Sequence, residues 1–257
     1  MSRLSVITLT KNEAHNIADC LHSVDFADEK IVFDCGSTDE TVAIAKQMGA
    51  QVFQTDWPGE SVQRNRALAQ ATGDWVLVLD ADERLSEPLQ KRIQAILASP
   101  IDSQAAAYEI AFQSYYLGRA IRFGDWRGEK HVRLFKQGIL SYTTELVHCR
   151  LQNLPAKPDY LPEVIYHHPY CNLETVLNKV NRYSSQSAAT KFAQHRQSNL
   201  GLAMVRGLWR FIYGYFFKLG FLDGKEGFLL ALSNAEGTFY RYMKLCYLNN
   251  EKNETAL

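Results

Sequence analysis

The chain has 257 residues, of which 46% are hydrophobic, and it carries 28 basic and 28 acidic side chains. This length and composition suit one domain of catalytic size with a helical addition, and they exclude wholesale disorder. The zero net charge argues against a dedicated nucleic-acid binder, because such proteins neutralise phosphates with an excess of Lys and Arg.

The first 100 residues alternate short apolar runs with segments of helical periodicity. Strands are predicted at residues 4–9, 30–34, 51–53 and 75–79, and helices at 13–23, after residue 39 and at 61–71. This alternation is typical of βαβ units, in which helices cover both faces of a parallel sheet of apolar strands. The sequence therefore predicts an α/β fold.

The predicted secondary structure changes twice along the rest of the chain, first to a mixture of strands and loops and then to helices. The alternation at Tyr108–Tyr116 and His131–Phe135 predicts further strands, some of them antiparallel, whereas three prolines between Leu154 and Pro162 predict a loop. After Asn172 the apolar residues recur at helical spacing. Charges interrupt the very apolar segment 208–232, so no membrane-spanning helix is predicted. We expect a mixed, mainly parallel sheet followed by a helical C-terminal extension.

The charges are distributed unevenly. Residues 1–100 carry 9 basic and 15 acidic side chains, a net charge of −6, whereas residues 171–257 carry 11 and 6, a net charge of +5. Such asymmetry indicates a membrane or polyanion contact for the basic part.

The five scattered cysteines form no CxxC pair and the N-terminus lacks the apolar core of a signal peptide, so a cytoplasmic location is expected.

The clearest chemical signal is the sequence Asp80-Ala81-Asp82 at the carboxyl end of an apolar strand. Ligands of open α/β sheets bind beyond the carboxyl ends of the strands. Two carboxylates at such an end can reach one hard cation, and Mg²⁺ or Mn²⁺ bound there also accepts diphosphate oxygens. The alternative is a solvated turn, because short DxD patterns are common by chance.

Polar residues near the other strand ends are candidate nucleoside or phosphate ligands. They are Thr10, Asn12 and Glu13 after the first strand, Asp34, Ser37 and Asp39 after the second, and Arg64 and Asn65 before the DxD strand. Ordinary helix capping is the alternative for Ser37. A solvated helix face is the alternative for Arg64.

Four segments together resemble the nucleotide-sugar half of the family-2 inverting glycosyltransferases, which have the Rossmann-like GT-A fold. They are Thr10–Glu13, Asp34–Thr41, Arg64–Ala67 and Gly73–Glu83. Four further segments are similar to the bacterial lipopolysaccharide-core enzymes that add β-1,4-linked glucose to the first inner-core heptose: Leu117–Arg119, Gly124–Trp126, Val132–Lys136 and Phe216–Gly224. The resemblance implies a catalytic domain at 1–170, divided into a nucleotide-sugar half (1–100) and an acceptor half (101–170), followed by a helical extension at 171–257.

The resemblance implies UDP-glucose as the donor, with Asp34 near the uracil and Asp80 near the ribose or the metal. Asp82 would be the firmer ligand of Mg²⁺ or Mn²⁺. Two departures from the family pattern stand out. Cys35 replaces a frequent serine, and Val147-His148-Cys149 replaces a Val-His-Glu, so no glutamate role is transferred there.

Inversion by a single displacement requires a carboxylate that takes the proton from the acceptor hydroxyl. The candidates are Glu129, Asp125 and Glu145, which all follow the nucleotide-sugar half. Glu129 lies three residues after Trp126, where relatives usually carry aspartate, so we favour it over Asp125. For each residue alone, a surface salt bridge is the alternative.

The basic C-terminal part contains a cationic and aromatic segment. Arg206, Arg210 and Lys218 alternate with aromatic residues, as in a helix that lies at a membrane surface. A helical lid or a dimer contact is the alternative.

Three functions are compatible with these features. The first is glucose transfer from UDP-glucose to the inner core of lipopolysaccharide, by a protein that is peripheral on the cytoplasmic face of the inner membrane and binds no nucleic acid. The second changes the acceptor to another envelope glycan or a lipid carrier. The third is a non-catalytic module that binds nucleotide sugars.

Overall fold

The computed structural model describes residues 1–143, 151–154 and 157–254, without the side chains of the last three. Its contacts divide the chain into two compact units. The sheet unit consists of Met1–Gln113 and Glu129–His167, and the helical unit consists of Ser114–Gly128 and His168–Leu257. The predicted boundary at residue 170 remains a prediction, and residues 114–128 group with the C-terminal part.

The sheet unit contains a mixed sheet. Its strands are β1 (Leu4–Thr10), β2 (Glu29–Asp34), β3 (Gln51–Gln54), β4 (Trp75–Asp80), β5 (Glu83–Leu85), β6 (Ala107–Tyr116), β8 (Lys130–Lys136) and β11 (Asp159–His167), in the spatial order β3-β2-β1-β4-β8-β6-β11-β5. The pairings among β1 to β4 are parallel, whereas β8 pairs antiparallel with β4 and β6. The short strands β9 (Ser141–Tyr142) and β10 (Leu151–Gln152) pair separately.

Helices cover both faces of the parallel strands. They are α1 (Ile17–His22), α2 (Thr41–Gln47), α3 (Glu60–Leu68) and α4 (Glu87–Ala98). Val6 and Leu77 pack in one apolar cluster with Leu89 of α4, whereas Ile7 and Val78 pack in another with α3. Successive strand residues point to opposite faces, so a sheet buried on both sides requires the continuous apolar runs seen in the sequence.

The helix α4 and the strand β11 differ from the sequence predictions, and the short strands β5, β7 (Arg119–Ala120), β9 and β10 were not predicted. The helix α4 was not predicted, although Ser86 caps its N-terminus and Pro88 occupies its first turn. The loop predicted from Leu154 to Pro162 is wrong at its end, because β11 begins at Asp159. Pro162 is tolerated in this strand because β5 pairs only with Ile165–His167, so its missing N–H breaks no bond to β5.

The helical unit is built around a long C-terminal helix. It contains the short strand β7 (Arg119–Ala120), paired with the end of β6, and the helices α5 (Leu173–Ala193), α6 (Leu200–Ile212) and α7 (Gly224–Glu254). Asn172 and Asn199 cap α5 and α6 by accepting backbone N–H groups. Gly207 brings α6 against α7, where a Cβ would lie 3.1 Å from Phe239. Within the described residues, no helix has the length and apolar character needed to cross a membrane.

Candidate active site

The DxD sequence forms the connection between two strands of the sheet unit. Asp80 ends β4, Ala81 and Asp82 form the turn, and Glu83 begins β5. The antiparallel register between β5 and β11 places His167 opposite Glu83. As a result, Nε2 of His167 lies 3.6 Å from Oδ2 of Asp82. Strand pairing therefore brings an imidazole to the DxD turn from a residue distant in sequence.

Two arginines hold the carboxylate of Asp80. Nη2 of Arg64 donates to Oδ1 at 2.8 Å, and Nη2 of Arg133 donates to Oδ2 at 3.3 Å. Burial alone would raise the pKa of Asp80, but the charges and hydrogen bonds of the arginines outweigh it and hold that pKa well below its usual range. Asp80 is therefore a fixed anion, with each oxygen facing a guanidinium group.

Glu83 shares Arg133 with Asp80. Nη2 of Arg133 donates to Oε1 of Glu83 at 2.5 Å, and the backbone N–H of Asp80 donates to Oε2 at 2.9 Å. Burial is the main cause that raises the pKa of Glu83 to about 7, against the opposing charge of Arg133. The guanidinium of Arg133 also lies over the ring of Phe112, 5.3 Å from its centroid. The sequence predicted no role for Arg133, although it stands between the apolar residues Val132 and Leu134 of a predicted strand.

His167 is a second residue that the sequence analysis missed. Burial would lower the pKa of His167, but its hydrogen bond to Asp82 and the charges of Asp82, Glu83 and Glu129 raise it overall. In the sequence, His167 is one of two adjacent histidines. This signal is weak, because a histidine outside a metal or catalytic motif more often has a structural role.

The donor atoms at the DxD turn suit a divalent cation. The carboxylate of Asp82 and the imidazole of His167 lie together, whereas the carboxylate of Asp80 is engaged by two arginines. The described residues contain no cluster of three or more His, Cys, Asp or Glu side chains arranged for a metal. A cation here would need further oxygens from a ligand, as Mg²⁺ and Mn²⁺ commonly do at phosphate sites.

The loops after β1 and β2 are bound to each other. Oδ2 of Asp34 accepts the backbone N–H of Gly36 at 3.1 Å and of Ser37 at 3.0 Å, and Oδ1 accepts the Ser37 hydroxyl. The same Ser37 oxygen accepts the N–H of Asn12 at 2.8 Å. Oδ1 of Asn12, a residue with φ of +55°, accepts the N–H of Thr38 at 2.8 Å. These motif residues thus shape the loops themselves.

The next residues extend this connection. Oδ2 of Asp39 accepts the N–H of Ala14 at 3.2 Å, while the N–H of Glu13 donates to the hydroxyl of Thr41 at 2.9 Å. The carbonyl of Thr10 accepts the N–H of Cys35 at 3.0 Å. The loops form one rigid rim at the carboxyl ends of β1 and β2, and a nucleoside contact by their side chains remains a prediction.

Asn65 has a structural role in this arrangement. Its side-chain amide donates to the carbonyl of Tyr142 at 2.9 Å and its carbonyl accepts the N–H of Tyr142 at 2.8 Å. Both ends of the side chain are therefore engaged by the backbone of one residue, Tyr142 of β9. The predicted nucleotide contact of Asn65 gains no support from this geometry.

The favoured base, Glu129, lies in the sheet unit. Its Oε1 is 3.1 Å from Nε2 of His131, whose ring packs edge-on against Phe112 at 5.1 Å. Phe112 in turn lies 6.2 Å from the ring of His167. Because the charge of Glu129 also acts on His167, this carboxylate lies within electrostatic range of the DxD turn.

Asp125, the second candidate, belongs to the helical unit. Its Oδ2 accepts a hydrogen bond from the amide of Asn234 at 2.8 Å and forms an ion pair with Nη2 of Arg210 at 3.1 Å, and the side chain is 10% exposed. These contacts give Asp125 a structural role. Arg210 therefore has an acidic partner in the same unit, and its contact with a membrane remains a prediction. Glu145 and His148 lie outside the described residues.

Comparison with known proteins identifies the family. The family model described as Glycosyl transferase family 2 matches residues 5–152, which is more than half of the chain. The chain belongs to glycosyl transferase family 2. The predicted GT-A fold class, a mixed α/β sheet with a C-terminal helical region, is thereby confirmed, as is the prediction of a glycosyltransferase.

Relatives resemble this family-2 glycosyltransferase over nearly its whole length. An uncharacterised glycosyltransferase of Rickettsia typhi is 33% identical, covering 95% of this chain and 87% of the relative. The lipopolysaccharide core biosynthesis glycosyltransferase LpsC of Rhizobium meliloti is 23% identical, covering 94% and 91%. The crystal structure of residues 1–349 of S. aureus TarS with UDP-GlcNAc has a TM-score of 0.49 and 14% identity, covering 96% and 92%.

Proposed function

We propose that this family-2 glycosyltransferase transfers glucose, with inversion, from UDP-glucose to the heptose of the lipopolysaccharide inner core. The observation that carries the proposal is the DxD turn, where an anion fixed by two arginines lies beside a carboxylate–imidazole pair. The sequence resemblance supports the donor and acceptor. The name of the relative LpsC, a lipopolysaccharide core enzyme, supports the acceptor class. Transfer to another envelope glycan or lipid carrier remains the second candidate.

The donor would bind at the carboxyl ends of β1, β2 and β4. Asp80 is ionised and held in place, so it can accept a hydrogen bond from a ribose hydroxyl without reorganising. The joined loops after β1 and β2 would surround the base, with Asp34 oriented by Ser37 at their centre. Rigid binding groups reduce the entropy lost when the nucleotide is ordered.

Asp82 and His167 would hold Mg²⁺ or Mn²⁺. The cation, when bound, supplies positive charge that stabilises the diphosphate leaving group. The charges of the two arginines at this turn are already shared, because Arg64 pairs with Asp80 and Glu60. Arg133 likewise pairs with Asp80 and Glu83. The cation would therefore be the main stabiliser of the negative charge that develops on the departing UDP.

Glu129 would act as the general base. In a single displacement, its carboxylate takes the proton of the acceptor hydroxyl, the hydroxyl oxygen bonds to the anomeric carbon, and the bond to UDP breaks. His131 lies 3.1 Å from the carboxylate and holds it in place. Glu129 becomes neutral in this step, and the negative charge leaves on UDP.

A lipid-anchored acceptor would be reached at the cytoplasmic face of the inner membrane. The α6 helix and the following turn expose a group of large apolar side chains, called here the apolar face: Met204, Val205, Leu208, Trp209, Phe216 and Phe217. Arg206 and Lys218 are exposed beside it. Apolar side chains with a cationic border suit the surface of an anionic bilayer.

Two measurements test this proposal. Purified protein is expected to release UDP from UDP-glucose faster than from UDP-galactose, with Asp82→Asn as the inactive control. Deletion of the protein is expected to remove one hexose from heptose in the mass spectrum of lipopolysaccharide. An unchanged lipopolysaccharide with a hexose missing from another glycan would move the acceptor to the second candidate. Faster release of UDP from UDP-galactose would overturn the assignment of UDP-glucose as the donor.

A further inference from the structure

Two sequence segments that carry the family resemblance meet in the helical unit. Asp223 is buried, and its carboxylate accepts the backbone N–H of Arg122 at 3.1 Å and of Phe123 at 2.8 Å. The N–H of Gly124 donates to the carbonyl of Lys218 at 2.9 Å. The segments 117–126 and 216–224 are therefore tied together through their backbones.

Close backbone contacts make this junction rigid. A Cβ on Gly220 would lie 2.8 Å from the carbonyl oxygen of Gly214, and one on Gly227 would lie 2.0 Å from the carbonyl oxygen of Gly220. No side chain fits at either position. Glycine is thus required at both positions so that the turn after α6 and the start of α7 can touch.

The junction forms an open groove of about 400 Å³. Its walls are Arg119, Ala120, Arg122, Phe123, Leu222 and Asp223. The guanidinium of Arg119 lies beside Gly224 at the start of α7, and its Nη1 is 4.0 Å from Glu226. Arg122 is exposed, and only its backbone is held by Asp223. The groove is therefore lined by two arginines, and the guanidinium of Arg119 lies at the positive end of a 31-residue helix.

We propose that this groove binds a phosphate group. Guanidinium groups donate paired N–H bonds to phosphate oxygens, and the N-terminal end of α7 favours the same negative charge. Two acidic residues lie nearby. The carboxylate of Asp223 faces backbone N–H groups, and Glu226 orients Arg119 from one side.

The source of the phosphate is either the acceptor glycan or a phospholipid headgroup. Exposed Leu222 lines the groove and exposed Phe221 precedes it, so the phosphate of an amphiphile would lie beside apolar side chains. The presence of a lipid-anchored acceptor rests on the proposed function. Binding of phosphate itself does not, because it is measured without a donor sugar.

The test uses the full-length protein and two probes. Glucose 6-phosphate, titrated by calorimetry, represents a phosphorylated glycan. Phosphatidylcholine vesicles with and without phosphatidylglycerol, followed by co-sedimentation, represent the lipid headgroup. The variant Arg119→Gln/Arg122→Gln removes both guanidinium groups. Arg182→Gln, which removes an exposed cation from α5 of the same unit, is the matched control.

A loss of at least tenfold in affinity for one probe in the double variant, but not in Arg182→Gln, supports the groove and identifies the source. Arg122→Lys keeps the charge without the paired donors, so it should recover only part of the binding. The proposal is overturned if the double variant binds both probes as tightly as the wild type does. It is also overturned if Arg182→Gln loses as much affinity as the double variant, or if the wild type binds neither probe. UDP release by wild type, scored separately, decides the proposed function.

Discussion

At the scale of single residues, the two aspartates of the DxD turn have different surroundings. Asp80 is fixed by Arg64 and Arg133, whereas Asp82 faces His167. The family resemblance implied Asp82 as the firmer metal ligand and left Asp80 near either the ribose or the metal. Their contacts favour Asp82 as the metal ligand and Asp80 as an ionised hydrogen-bond acceptor.

The metal assignment predicts that Asp82→Asn and excess EDTA both suppress UDP release by at least a hundredfold, since the leaving diphosphate loses its counter-charge. Mn²⁺ added back should restore the EDTA-treated wild type and leave the variant inactive. Full turnover in EDTA would rule out the metal site.

For the general base, we expect Glu129→Gln to lower kcat by about 10²–10⁴ while the affinity for UDP is nearly preserved. The amide keeps the size of the side chain and removes its ability to take a proton. Steady-state kinetics and calorimetry separate these effects.

Asp125→Asn is the matched comparison. It should lower Tm, because Arg210 loses its charged partner and Asn234 its acceptor, with a smaller effect on kcat than Glu129→Gln. An inactive, fully stable Asp125→Asn beside an active Glu129→Gln would transfer the role of base to Asp125.

At the scale of secondary-structure elements, the loops after β1 and β2 act as one rim. Asn12 connects them through Ser37 and Thr38 and adopts a left-handed backbone conformation, which asparagine tolerates better than most residues. The geometry of the rim therefore depends on one side-chain carbonyl.

We expect Asn12→Ala to weaken UDP binding about tenfold and to lower the free energy of unfolding by about 1–3 kcal/mol, since the N–H of Thr38 loses its acceptor. Asn12→Asp keeps an acceptor oxygen and a tolerated backbone, so it should stay close to wild type. Calorimetry and urea unfolding measure the two effects. If Asn12→Ala binds UDP with the same affinity as the wild type, the rim does not shape the nucleotide site.

At the scale of the whole molecule, the charge asymmetry places the excess of cations in the C-terminal part, where the apolar face lies. Trp209 and Phe217 are 54% and 66% exposed although they pack on each other, with ring centroids 5.8 Å apart. Arg210 pairs with Asp125, and its contact with a membrane remains a prediction. Arg206 and Lys218 remain at the border of the face.

Changing Arg206 and Lys218 to glutamine should weaken binding to phosphatidylglycerol vesicles by roughly tenfold or more, because each cation near an anionic bilayer contributes about 1 kcal/mol. Higher salt should weaken the wild type in the same direction. Arg182→Gln serves as the control in the sedimentation assay. If the wild type fails to sediment with such vesicles even at low salt, the apolar face is a lid or a contact between copies.

The sequence by itself determined the parallel strands β1 to β4 and the polar residues at their carboxyl ends. Both are local properties, since an apolar run marks a strand buried on two sides and its last residues lie at the ligand-binding edge. The helical spacing after Asn172 was likewise a local property, and α5 begins at the next residue.

Only the tertiary structure decided which partners these residues have. His167 reaches Asp82 because β11 pairs with β5, and Arg133 reaches Asp80 because β8 lies beside β4. Asp125 pairs with Arg210 on α6, so one candidate base is held in a structural pair. Strand order and register join residues far apart in sequence, and local periodicity carries no information about which distant strands become neighbours.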